Sequence, residues 1–148
     1  MPEAAPMSAK CACSSVRRTA RILARTYDAA LVKSGMNITQ LAVMRAVLRH
    51  VERPLSRLAD DLAMDRSSLY RALATCEKHG WLRLAAGASG RTRTAAITAK
   101  GRRLLRVADS PWSTIQHAVV ERFGPVQWRS FAAELERLGD CARAVTAK

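Results

Sequence analysis

The stretch Pro54-Leu-Ser-Arg-Leu-Ala-Asp-Asp-Leu-Ala-Met-Asp-Arg-Ser-Ser-Leu-Tyr-Arg-Ala-Leu restricts the fold more than any other part of the chain. Leu55, Leu58, Ala59 and Leu62 recur at helical steps and make a short amphipathic helix, which Pro54 can begin. Ala63-Met64-Asp65 interrupts the pattern. Asp65 is a good N-cap for a second helix, whose inner side is Leu69, Leu73 and Cys76 and which Gly80 closes. Two short helices joined by so tight a turn must cross steeply, which is the helix-turn-helix arrangement.

The flanks extend this unit. Trp81-Leu-Arg-Leu and Arg93-Thr-Ala-Ala-Ile read as two short strands, with the small turn residues of Ala85-Ala-Gly-Ala-Ser-Gly-Arg-Thr between them. A basic hairpin directly after the second helix is a wing. Upstream, Val16, Ala20, Leu23, Tyr27 and Leu31 form an apolar stripe on a helix from Cys11 to Lys33, flanked by Arg17, Arg18, Arg21 and Arg25 and ended by Gly35. Thr39 is the expected cap of a further helix with Leu41, Met44, Val47, Leu48 and Val51 facing inward. Downstream, Thr98 caps a long helix containing Leu104, Leu105 and Val107, which Pro111 should kink or interrupt near Ser110. Gly124-Pro125 precedes a last helix, where Trp128, Phe131, Leu135, Leu138, Ala142 and Val145 repeat at the near-heptad spacing of a helix packed on a partner helix.

The expected fold is mainly α with a small β-hairpin wing: a winged helix-turn-helix flanked by N- and C-terminal dimerisation helices. Residues 38–98 form the DNA-binding region, and 11–37 with 99–148 form the helical dimerisation region of a single intertwined domain. Residues 1–10 read as a flexible segment.

Charge narrows the partner. The chain has 25 Lys and Arg against 12 Asp and Glu in 148 residues, a formal charge of +13 spread along its length. Such a surface attracts a polyanion before any specific contact forms. Its apolar share of 49% is enough to build a core. No segment reaches the length of a membrane span, and Met1 to Lys10 lacks the apolar run of a signal peptide. The expected location is the cytoplasm, with no membrane partner. Thiols stay reduced there, so Cys11, Cys13, Cys76 and Cys141 are not read as a disulfide framework.

On the helix beginning at Asp65, the residues off the apolar stripe are Arg66, Ser67, Ser68, Tyr70, Arg71, Ala74 and Thr75. The N-terminal part of a recognition helix enters the major groove. Ser67 and Ser68 are short enough for close approach, Arg71 can meet a guanine edge bidentately, and Tyr70 can lie on a thymine methyl or donate to phosphate. Arg91 and Arg93 in the hairpin are placed to reach a minor groove or its phosphates. The bland alternatives are a solvated polar face and a flexible basic loop. Cys76 and His79 have a spacing that can hold a metal, but no further ligands accompany them, so Cys76 reads as core and no metal is expected. Asp60 and Asp61 are adjacent on a helix and diverge, a poor geometry for catalysis. No nucleophile–base pair or phosphate loop is present, so neither an enzyme nor a cofactor is expected.

Leu58-Ala59, Leu62, Asp65-Arg66-Ser67-Ser68, Arg71, Gly80-Trp81-Leu82 and Thr98-Ala-Lys-Gly101, in this element order, resemble the MarR family (multiple antibiotic resistance regulators) from about Cys11 to Val145. Cys11-Ala-Cys13 followed by Arg17-Arg18 is similar to one branch of that family. Three positions depart from the pattern: Ala63-Met64 where glycine is common in the turn, Ser89 where many members carry Asp before Gly90-Arg91, and Tyr70 in place of a small hydroxyl residue. The resemblance implies a homodimeric repressor on an inverted-repeat site of double-stranded DNA, with Arg91 at the wing tip. It also implies a pocket for a small phenolic or aromatic carboxylate effector. Charge and position make Arg17 or Arg21 the anchor of an anionic effector. In hydroperoxide-sensing members a reactive cysteine lies where Cys13 does, and Arg17 one turn later favours a thiolate. The tyrosines around such a cysteine are missing apart from Tyr27, so an inert thiol is the expectation. The alternatives carried forward are oxidant sensing through Cys13 and a low-specificity architectural DNA-binding protein.

Overall fold

A computed structural model describes residues 11–88 and 90–146. The expected flexible segment 1–10 and Ser89 lie outside the described residues. The elements run α1 (Ala12–Leu31), a 3-10 turn (Val32–Ser34), α2 (Ile38–Arg49), α3 (Leu55–Asp61), α4 (Arg66–Lys78), β1 (Leu82–Ala86), β2 (Arg93–Ile97), α5 (Ala99–Phe123) and α6 (Pro125–Thr146). This is the expected mainly helical fold with one antiparallel hairpin. The chain divides into two compact units, one reaching to Trp112 and the other beginning at Ser113. Among the described residues no helix is long and apolar enough to cross a membrane.

The core of the first unit gathers one side of every helix up to α5. Leu31, Leu41, Met44, Leu55, Leu58, Leu69, Leu73, Cys76 and Leu82 are all essentially removed from solvent. Each such side chain contributes roughly 1.5–3 kcal/mol by leaving water, and together they fix α4 against both α2 and α3. The hairpin closes one side, β1 packing on α4 and β2 on α2.

That double packing corrects one expectation. Because α2 meets both α4 and β2, its buried arc runs through Leu41, Val43, Met44, Ala46 and Val47. Leu48 is only partly covered, at 43% exposure, and borders a shallow groove beside Ala95–Ile97, while Val51 lies past the helix end at 79%. The cap of α2 also differs. Asn37, not Thr39, caps it: the Asn37 side chain accepts from the Gln40 amide at 2.8 Å, and the Gln40 side chain accepts from the Asn37 amide at 2.9 Å. This reciprocal pair satisfies two amides that the helix itself cannot. Asp28 of α1 accepts from the Ile38 amide at 2.7 Å and so ties α1 to the start of α2.

Pro111 does not end α5, which continues to Phe123. The proline supplies no amide for the Val107 carbonyl, but a helix already held by its own flanking turns tolerates that loss. Val107 itself is exposed, while Leu105 is buried and Leu104 packs against the core. In the second unit, Gly124 takes φ +102° and Pro125 opens α6, the arrangement its fixed φ favours. Phe123, Trp128 and Phe131 cluster with ring centroids 5.5–6.5 Å apart. No residue of α6 is fully buried, and its stripe leaves Phe131 and Leu138 exposed.

Candidate nucleic-acid interface

The candidate interface begins with the turn between α3 and α4. Ala63 adopts φ +49°, the left-handed conformation for which glycine is the usual residue. The turn is closed by the Met64 amide donating to the Ala59 carbonyl at 2.9 Å. Asp65 then caps α4 as expected, accepting from the Ser68 amide at 2.8 Å. The Ser68 hydroxyl and then its amide hold the Asp65 carboxyl below its ordinary range. Before α3, Arg53 forms a two-pronged ion pair with Asp61 that likewise lowers the Asp61 carboxyl.

Leu69, Leu73 and Cys76 have no measurable exposure, so the rotation of α4 about its axis is fixed. The opposite face presents Arg66, Ser67, Tyr70, Arg71 and Thr75 to solvent, while Ser68 is half-buried. From Arg66 to Thr75 this face carries no acidic residue. Arg71 Nη2 donates to Ser68 Oγ at 3.0 Å. The Thr75 hydroxyl donates to the Arg71 carbonyl at 3.0 Å, so its donor is spent within the helix.

The hairpin is anchored to α4 at two points. Glu77 Oε1 accepts from the Leu84 amide at 2.9 Å. Thr98, the expected cap of α5, accepts from the Gly101 amide at 3.0 Å and donates to the Gly80 carbonyl at 2.7 Å. Its hydroxyl thereby joins the end of α4 to the start of α5. The strands pair in register from Leu82 opposite Ile97 to Ala86 opposite Arg93. Beyond them the Gly87 amide donates to the Thr92 carbonyl at 2.7 Å, and Gly90 takes φ +69°. Arg91 stands exposed in the turn and Arg93 exposed at the first position of β2. The proposed contacts thus occupy two surfaces, the outer face of α4 and the distal end of the hairpin.

The other candidate residues lie elsewhere. Cys76 is sealed in the core, where burial pushes its thiol up to about 11, and His79 stacks on Trp81 with centroids 4.5 Å apart. Among the described residues no group of three or more His, Cys, Asp or Glu gathers around this pair. Cys13, Arg17 and Arg21 are exposed along α1. A shallow groove of about 460 Å³ at its start is lined by Cys11, Ser14, Ser15, Arg18 and Thr19. Arg18, not Arg17, borders it. Cys11 is exposed, and the Ser14 amide and hydroxyl draw its thiol below the usual range. One contact had no sequence signal: Arg45 pairs with Asp109 at 2.7 Å and stacks over the Trp112 ring at 4.1 Å, holding α2 to α5.

Comparisons with known proteins agree with this geometry. The IclR helix-turn-helix domain matches residues 40–85. No curated protein sequence matches the chain. Among solved structures, the M. tuberculosis transcriptional regulator MosR in complex with DNA is 33% identical, with a TM-score of 0.84 over 92% of this chain and 98% of that one. A MarR-family regulator from Rhodococcus sp. RHA1 superposes at 0.74 with 16% identity, covering 88% and 96% of the two chains. CouR from Rhodococcus jostii RHA1 bound to p-coumaroyl-CoA superposes at 0.72 with 18% identity, covering 83% and 87%.

Proposed function

The chain belongs to the MarR family of winged helix-turn-helix DNA-binding transcriptional regulators, and from that premise we propose that it is a sequence-specific homodimeric repressor acting in the cytoplasm and released from DNA by a small effector. The observation that carries the reading is the Arg66–Thr75 stretch of α4, whose polar face has no acidic residue and is fixed in rotation by a fully buried opposite side, together with a hairpin bearing Arg91 and Arg93. Arg66, Ser67, Tyr70, Arg71 and Thr75 form the groove-facing set with the half-buried Ser68 at its inner edge, and Arg91 and Arg93 are the wing contacts. Residues 38–98 act as the DNA-binding region, and 11–37 with 99–148 as the dimerisation region.

Dimerisation is supported by apolar stripes that the subunit leaves uncovered. Val16 on α1 is 41% exposed, and Val145 on α6 reaches 78%. A two-fold dimer sets its recognition helices roughly 34–36 Å apart and requires an inverted repeat. Selection from random duplex DNA by the full chain, with sedimentation at micromolar concentration, tests both points. A stable monomer, or sites without two-fold symmetry, contradicts the proposal.

For the effector, we propose a phenolic or aromatic carboxylate. CouR, a protein of the same fold, is bound to p-coumaroyl-CoA, whose acyl part is phenolic, and this supports the phenolic alternative. Arg17 or Arg21 is the proposed anchor. Added 4-hydroxybenzoate should release DNA, and Arg17→Ala or Arg21→Ala should raise the concentration needed. A second reading, oxidant sensing through Cys13, is favoured by the exposure of Cys11 and Cys13 at the start of α1 and by the lowered Cys11 thiol. On the leading reading, low micromolar peroxide leaves the DNA complex intact and Cys13→Ser behaves as wild type. Release by peroxide that Cys13→Ser abolishes replaces the ligand reading with the thiol one.

A further inference from the structure

Resting on α4 as the groove-reading helix, we propose that Ser68 is not a base contact but a positioning residue, which holds the Arg71 guanidinium in its base-reading orientation before DNA arrives. Ser68 sits between a carboxylate and a guanidinium. Its backbone amide is bound by Asp65 Oδ1 at 2.8 Å, and its Oγ accepts from Arg71 Nη2 at 3.0 Å. The hydroxyl proton remains available to the Asp65 carboxylate, one cause of that group's lowered range. One lone pair of the hydroxyl is therefore already taken within the protein. Ser68 is also half-buried where Arg66, Ser67, Tyr70 and Arg71 are exposed. A short, recessed and already bonded hydroxyl is badly placed to reach a base edge.

Arg71 gains from the same arrangement. A free arginine loses much rotamer freedom when it is fixed on a guanine edge. Bonding one Nη atom to Ser68 restricts the side chain beforehand and leaves the other N–H donors of the fork free. Preorganisation of this kind raises affinity where the arginine is used and nowhere else. Because Leu69 is fully buried, the Ser68 hydroxyl keeps its place on the helix.

The test uses the full chain and a site selected by the wild-type protein from random duplex DNA, together with all single-base-pair variants of that site. Arg71→Ala should flatten the preference at one guanine position. Ser68→Ala keeps the amide that Asp65 binds, so α4 retains its cap, which circular dichroism and thermal unfolding check. It should weaken the preference at that same position about fivefold, the factor equivalent to one ordinary hydrogen bond, and leave other positions unchanged. Ser68→Thr should restore the preference, and the double variant should match Arg71→Ala alone. The proposal is overturned if Ser68→Ala alters a different base pair, lowers affinity equally on every sequence, or adds to Arg71→Ala. If Arg71→Ala alters no base preference, the groove-reading assignment of α4 falls, and the proposal falls with it.

Discussion

Gly101→Ala tests how the hairpin packs against the start of α5. In most helices this exchange stabilises, because alanine is about 1 kcal/mol better than glycine in a helix interior. Gly101 is different because it lies buried where α5 passes β1. A Cβ built there falls on the Trp81 carbonyl oxygen, with the Trp81 carbonyl carbon at 2.9 Å and Ile97 Cγ2 at 3.0 Å. The obstacle is backbone, so no rotamer change relieves it. The start of α5 must move away from the hairpin. That movement strains the Thr98 bonds to the Gly80 carbonyl at 2.7 Å and from the Gly101 amide at 3.0 Å. Overpacking typically costs about 1–3 kcal/mol, and two weakened hydrogen bonds add roughly 1 kcal/mol each. Set against the helix-propensity gain, the net loss is about 2–4 kcal/mol. For a chain of this size the midpoint should fall by roughly 5–15 °C in thermal unfolding at fixed protein concentration. A variant as stable as wild type would refute the close-packing argument.

Three further outcomes follow from local geometry. Ala63→Gly should raise stability by about 0.5 kcal/mol in urea unfolding, since relief of a left-handed alanine outweighs the added freedom of the unfolded chain. Leu73→Ala removes a side chain with no exposure and should cost about 2–5 kcal/mol by the same assay. Asp61 and Asp65 have carboxyls held below their unfolded values, so their contributions are present above the ordinary carboxylate range and are lost as pH falls through the lowered folded values. A stability profile in acid should therefore be flatter for Asp61→Asn than for wild type.

What was legible in the sequence was mainly local. Asp65, Thr98 and Gly80 act at helix ends through their own backbone neighbours, so their roles follow from position alone. Leu69, Leu73 and Cys76 share one side of a helix that has a single core-facing side, and periodicity finds such residues. Leu48 is less buried than its place on the apolar stripe implies because β2 leaves a shallow groove beside it, which depends on where β2 arrives from elsewhere in the chain. Asn37 was missed although Asn37-x-x-Gln40 is a readable capping signal, because Thr39 is an equally good cap by residue type. Of the two outcomes expected at Pro111, a kink or an interruption, the interruption does not occur, because the turns on either side outweigh the intrinsic cost of proline. The Arg45–Asp109–Trp112 contact joins residues more than sixty positions apart and leaves no local trace. For the interface, the polar face of α4 was legible, but the division of labour between Ser68 and Arg71 needed coordinates.

The most direct test of the central claim is the salt dependence of DNA binding by Arg71→Ala and Arg91→Ala on a selected site and on unrelated duplex. Arg71→Ala should cost about 1–3 kcal/mol on the selected site while leaving weak general binding and its salt slope nearly intact, because a base contact is lost. Arg91→Ala should weaken binding to most sequences and lower the slope of log K against log salt by about one, because a backbone or minor-groove contact is lost. If Arg71→Ala instead weakens every duplex alike and lowers the slope, α4 does not read bases and the account is wrong.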